Sequence, residues 1–134
     1  MDRQSKNKTK QKIIAVDFDG TLCENKWPEI GEPNMQLIWH LIEQREKYQN
    51  KLILWTCRAG EKLEEAIEWC NSRGLIFDAV NENLPDIIEM MGSDTRKIYA
   101  DEYIDDRARY SWYLPTEEDL RYHNQLIKGD GVMK

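Results

Sequence analysis

Residues 12 to 25 read KIIAVDFDGTLCEN, an apolar run that ends by setting Asp17 and Asp19 either side of Phe18, with Gly20 and Thr21 next. Two carboxylates that close repel, so the arrangement calls for a metal ion, shared proton chemistry or solvent at a strand end. Along a strand residues i and i+2 face the same way, so both acids can share a pocket while Phe18 turns into the packing. Gly20 then lets the backbone turn sharply without a Cβ penalty. Other polar groups end apolar stretches in the same manner: Thr56 closes KLILWT, Asp105 and Asp106 close KIYADEYIDD, and Lys97 opens that last stretch. An all-oxygen donor set with no His or Cys nearby favours a hard cation, and a loose site that keeps several waters suits Mg²⁺. Thr56 offers a hydroxyl to an anion and Lys97 a cation. Together these groups suit phosphoryl transfer, in which charge on the equatorial oxygens must be neutralised.

The same chemistry explains a need for two acids. Enzymes accelerate phosphate-monoester hydrolysis by up to about 10²¹-fold, whereas one carboxylate acting as a base contributes roughly 10²–10⁴. A carboxylate nucleophile splits the displacement into two steps through an aspartyl-phosphate. A second, protonatable carboxylate two residues on can give a proton to the leaving oxygen and later take one from water.

The elements that must position these groups are legible as alternating strands and helices. Residues 13–18, 51–56, 75–80 (LIFDAV) and 98–104 read as strands, short apolar runs with β-branched residues. Pro33 suits the first turn of a helix, after which Met35, Ile38, Leu41 and Ile42 repeat at helical spacing. Leu63, Ala66, Ile67 and Cys70 form a second helical stripe ending near Gly74. LPDIIEMMG reads as a short third helix, and Thr116 is placed as the N-cap of a terminal one. This alternation predicts an α/β fold, a mainly parallel sheet with helices on both faces. Right-handed crossovers put every strand's carboxyl end on one edge, and open α/β sheets hold ligands there.

A chain of 134 residues fits one domain. Residues 1–12 are expected to be a basic, disordered tail and 13–134 the single folded domain. That tail carries a net +4, leaving −10 on the remainder for a total of −6. An acidic body argues against a large surface for a phosphate backbone. No apolar run approaches the ~20 residues a bilayer span requires, and the cationic start has no h-region after it, so a cytoplasmic location without membrane contact is expected. Cys23, Cys57 and Cys70 are odd in number and not spaced as C-x-x-C, which suggests reduced core or near-core residues rather than disulfides or zinc ligands.

VDFDGTL resembles the signature of the haloacid dehalogenase superfamily of phosphohydrolases, an apolar strand followed by D-x-D-G-T/V. LILWTCR is similar to that family's strand-plus-Thr motif, Lys97 to its basic motif and YIDDR to its acidic metal-binding motif, in the family's order and over roughly residues 12–110. The resemblance implies a Rossmann-like three-layer sandwich and a Mg²⁺-dependent phosphatase. It implies Asp17 as nucleophile and metal ligand, and Asp19 as acid/base that also ligates metal through its backbone carbonyl. It makes Thr56 and Lys97 the phosphate-binding groups, with Gly20 beside them, and Asp105 and Asp106 the metal holders, one directly and one through water. Arg96 rivals Lys97 for the basic role. The gaps between the motifs are filled by elements the core needs, so the resemblance implies a member without a cap domain, only residues 22–32 forming a flap over the site. The substrate expected is a phosphorylated small molecule or a nucleic-acid end, with a homo-oligomer as one way to cover the open site.

Several residues carry two readings. Arg58 either binds the phosphate or pairs near the following helix. Trp27, in the flap, either packs or stacks on a base or sugar. Trp39, Trp55, Trp69 and Trp112 are expected to be core or partly buried, and His40 and His123 plain helix residues. A polynucleotide-end or nucleotide phosphatase is the more specific alternative activity. A true dehalogenase is disfavoured by Asp19, which an alkoxide leaving group needs and a halide does not. A phosphoryl-accepting receiver is disfavoured by the order of the motifs, and a non-catalytic module would tolerate the loss of Asp17 or Asp19.

Overall fold

A computed structural model describes residues 11–109 and 116–128. Its central sheet has four parallel strands, β1 (Ile13–Val16), β4 (Lys51–Leu54), β5 (Ala79–Val80) and β6 (Glu102–Ile104), in the spatial order β5-β4-β1-β6. Strand β1 pairs with β4 from Ile13↔Lys51 to Val16↔Leu54, and with β6 from Ile14↔Glu102 to Val16↔Ile104. Among the described residues four helices accompany the sheet: α1 (Met35–Glu46), α2 (Gly60–Asn71), α3 (Pro85–Met91) and α4 (Glu117–Lys128).

Strand parity sorts the core into two layers. Ile14, Val16 and Phe18 pack with Leu52 and Leu54 against Ile38 and Leu41 of α1 and Ala66 and Cys70 of α2. Ile13, Ala15, Ile53 and Ala79 pack on the opposite face against Leu84, Ile98 and Ile87 of α3. The expected α/β architecture, Rossmann-like with helices on both faces of a parallel sheet, is the one observed. Between β1 and α1 the chain inserts an antiparallel hairpin, β2 (Cys23–Lys26) and β3 (Glu29–Pro33), where the sequence indicated only an irregular flap.

All four strands are shorter than the sequence suggests. Strands β1 and β4 end at Val16 and Leu54 rather than at residues 18 and 56, and β5 and β6 begin late, for one shared cause. Asp78 donates its N–H to the Leu52 carbonyl (2.8 Å) and accepts the Leu52 N–H on its carboxylate (2.8 Å). A side chain thus occupies a main-chain place in the ladder, and β5 begins only at Ala79 rather than near 75. Asp101 does likewise with Ile13, at 2.7 and 2.8 Å, so β6 begins at Glu102 rather than 98. Both aspartates lie at the amino-terminal edge of the sheet, opposite the edge where the other acids gather.

The tryptophans divide. Trp69 packs edge-on against Phe18, with centroids 5.3 Å apart, but Trp39 lies on the outer face of α1 and is exposed. Cys23 and Cys70 are buried as expected, whereas Cys57 is exposed. The basic tail up to residue 10 and Trp112 lie outside the described residues. No helix among the described residues is long and apolar enough to cross a membrane.

The layer assignment predicts opposite outcomes at adjacent positions. Ile38→Ala, fully buried in the larger layer, is expected to lower unfolding free energy by about 2–5 kcal/mol. Trp39→Ala is expected to change it by no more than about 0.5 kcal/mol. Urea unfolding of both variants checks this, and an equal loss at the two positions would mean that α1 is rotated relative to the sheet.

Candidate functional site

In the order β5-β4-β1-β6 the chain adds strands to one side of β1 and then crosses to the other. The crevice at the carboxyl ends of β1 and β6 is therefore a topological switch point, where open α/β sheets place ligands. Asp17 leaves β1 there and Asp105 leaves β6. The Asp17 N–H donates to the Ile104 carbonyl at 2.9 Å, extending the parallel pairing and setting the two acids side by side. Carboxylate oxygens of Asp17, Asp105 and Asp106 all fall within 4.8 Å of one another.

Two residues of the turn after β1 hold this cluster. The Thr21 hydroxyl donates to Asp17 Oδ2 (3.0 Å) and accepts the Asp106 N–H (3.0 Å), so one side chain ties the strand-end acid to the second acidic loop. Gly20 sits at φ +87°, and a Cβ there would meet Asp106 Oδ2 at 2.3 Å. Its N–H is taken by the Cys23 carbonyl at 2.9 Å, so what Gly20 contributes to the cluster is room for Asp106. The role of Thr21 was not singled out from sequence, although its place four residues after Asp17 in DGT was the available signal.

Asp19 goes elsewhere. Both its oxygens accept from Arg58, Oδ2 from Nε and Oδ1 from Nη2, each at 2.8 Å. Arg58 is only 2% exposed; it also donates to the Glu29 carbonyl of β3 (3.1 Å) and, at the limit of reach, to the Lys62 carbonyl of α2 (3.4 Å). Its guanidinium carbon lies 5.1 Å from the Phe18 ring centroid and 4.9 Å from that of Trp27. Arg58 is thus ion-paired with Asp19, with the Trp27 ring over its guanidinium. No sequence signal joins residues so far apart.

Thr56 is half-buried just beyond β4. Its N–H donates to Asn81 Oδ1 (2.8 Å), and its hydroxyl oxygen accepts the Arg58 N–H (3.1 Å), which leaves the hydroxyl proton for another acceptor. Lys97 is exposed, its Nζ 5.7 Å from the ring centroid of Tyr103. Tyr103 in turn contacts Trp55, with centroids 5.7 Å apart. By parity Trp55, Tyr103 and Asp17 face the same layer, so Lys97 stands on that side of the sheet, reached through aromatic rings. Arg96 is exposed as well.

No family model matches the sequence, and no curated protein matches it. A solved structure of a conserved protein from Bacteroides thetaiotaomicron is similar, with 41% identity over 89% of this chain and 91% of that one and a TM-score of 0.65. The chain belongs to the family of that protein. The relative's description names no activity, ligand or partner.

Asp17 is pushed up from 3.8 to about 6, first by burial and then by the charges of Asp105 and Asp106, against the opposing hydrogen bond from Thr21. Three converging carboxylates with no lysine or arginine paired to them among the described residues are a donor set suited to a hard divalent cation.

Because the folded-state value lies above the unfolded one, the native protein binds more protons between pH about 4 and 6. The contribution of Asp17 to stability is thus present at low pH and lost as pH rises through that window. Metal-free Asp17→Asn protein is expected to melt higher than wild type at pH 7, with the difference shrinking toward pH 4. Thermal melts in chelator across that range provide the check, and a variant less stable at pH 7 would contradict it.

Proposed function

We propose that the protein is a Mg²⁺-dependent phosphohydrolase that cleaves a phosphate monoester through an aspartyl-phosphate on Asp17. The observation that carries the reading is the gathering of Asp17, Asp105 and Asp106 within 4.8 Å at the switch point between β1 and β6. The order and spacing of the motifs, which resemble the haloacid dehalogenase superfamily, support it independently.

In this reading Asp17, Asp105 and Asp106 hold the cation, with the Asp19 backbone carbonyl as the further ligand that the resemblance supplies. When bound, Mg²⁺ offsets the repulsion among the carboxylates and withdraws charge from the phosphoryl oxygens. The Thr56 hydroxyl donates to a phosphoryl oxygen, and Lys97 adds positive charge from the Tyr103 side. An oxygen of Asp17 attacks phosphorus as the bond to the leaving oxygen breaks, and Asp19 supplies the proton that oxygen needs. Water then attacks the aspartyl-phosphate and Asp19 takes up its proton, so phosphate leaves with Asp17 again a carboxylate and Asp19 again protonated for the next cycle. The hairpin β2–β3 is the flap beside this opening. The substrate class that fits is a phosphorylated small molecule or a nucleic-acid end, acted on in the cytoplasm.

Asp17→Asn is expected to remain folded and to lose turnover by at least about 10³-fold, on the scale of removing an essential catalytic group. Phosphate release from phosphorylated metabolites, nucleotides and 3′-phosphorylated oligonucleotides, with Mg²⁺ or chelator, tests this. Folded Asp17→Asn protein with undiminished activity would overturn the assignment.

A further inference from the structure

We propose that Arg58 is a positioning residue for the proton chemistry of Asp19, and that it makes this chemistry depend on how the β2–β3 hairpin is seated. The inference rests on the phosphohydrolase reading and extends it to the residue whose guanidinium forks both oxygens of Asp19.

The geometry is that of a clasp with three arms. One arm is the fork on Asp19, with two bonds of 2.8 Å. The second is the bond from Nη2 to the Glu29 carbonyl at 3.1 Å, so the nitrogen that holds Asp19 Oδ1 also holds the main chain of β3. The third is the guanidinium face, with the Phe18 and Trp27 centroids 5.1 and 4.9 Å away. Phe18 belongs to the core layer packed against α1 and α2, and Trp27 to the turn at the tip of the hairpin. Planar guanidinium is suited to such simultaneous forked and stacked contact, and lysine cannot reproduce it. With Arg58 98% buried, these partners are fixed by packing rather than by chance encounter on a surface.

Two consequences follow. Asp19, drawn away from the other three acids, is kept out of the metal cluster and reserved for proton transfer. A displacement of the hairpin strains the Glu29 bond and the Trp27 contact, and through the shared nitrogen it shifts the fork on Asp19. Such a defect touches only the steps in which a proton moves. It therefore acts most on substrates whose leaving oxygen must be protonated and least on those that leave as stable anions.

The test compares an alkyl phosphate, glycerol 3-phosphate, with an aryl phosphate, p-nitrophenyl phosphate, in the full chain with Mg²⁺. For Arg58→Lys, kcat/KM is expected to fall at least tenfold more with the alkyl than with the aryl substrate. Asp19→Asn is expected to show the same bias, and the double variant to be no worse than Asp19→Asn alone, as groups acting as one unit require. Trp27 is 57% exposed, so Trp27→Ala keeps the test available if Arg58→Lys does not fold; it is expected to bias the two substrates in the same direction. Equal losses on both substrates, in Arg58→Lys or in Trp27→Ala, would mean a merely structural role and overturn the proposal while leaving the phosphohydrolase intact. Wild-type protein that hydrolyses neither these substrates nor any of the phosphorylated metabolites, nucleotides and 3′-phosphorylated oligonucleotides above would remove both readings together.

Discussion

Carboxylates brought within 4.8 Å of one another repel, and the arrangement of the site answers that repulsion. The parallel pairing of β1 with β6 forces Asp17 and Asp105 together, since the Asp17 N–H is bonded to the carbonyl just before Asp105. Thr21 then fixes both acidic loops with one hydroxyl, and Gly20 leaves the space Asp106 occupies. What these contacts do not supply is positive charge. Burial first, and then the charges of Asp105 and Asp106, raise the Asp17 value, and a carboxylate set of this kind suits a hard divalent cation.

The acids at the end of β1 were adjacent in sequence but are separated in environment. Asp17 faces the open, acidic side with Asp105 and Asp106, while Asp19 is neutralised by a buried arginine under the hairpin. Two carboxylates two residues apart thereby acquire different partners. The hairpin takes part because Glu29 and Trp27 share the same guanidinium. The fold thus connects the motif of β1, Arg58 two residues after Thr56, and the flap in one buried contact.

Much of this was legible in the sequence, for particular reasons. The strands that carry Asp17, Thr56 and Asp105 are marked by apolar runs, and their polar ends mark the ligand edge. The apolar stripes located α1 and α2, but Pro33, read as the first turn of α1, instead closes β3, and Asn34 caps the helix. Asp78 and Asp101 obscured the bounds of β5 and β6, because a side chain standing in for a backbone acceptor leaves no periodic trace. The pairing of Arg58 with Asp19 depends on where β4 and β1 lie relative to each other, which only the assembled sheet decides. Trp39 shows the limit of periodicity, as it sits beside the buried stripe of α1 yet faces outward.

The central claim is that Asp17 is the atom donor for a covalent intermediate. Its most direct test is to mix the protein with Mg²⁺ and a hydrolysed substrate, quench in acid and locate any added phosphoryl group by peptide mass spectrometry. The account predicts a phosphoryl mass on the peptide bearing Asp17, absent when chelator replaces Mg²⁺ and absent from Asp17→Asn. Turnover with the phosphoryl group on another residue, or with none trapped under any quench time, would contradict it.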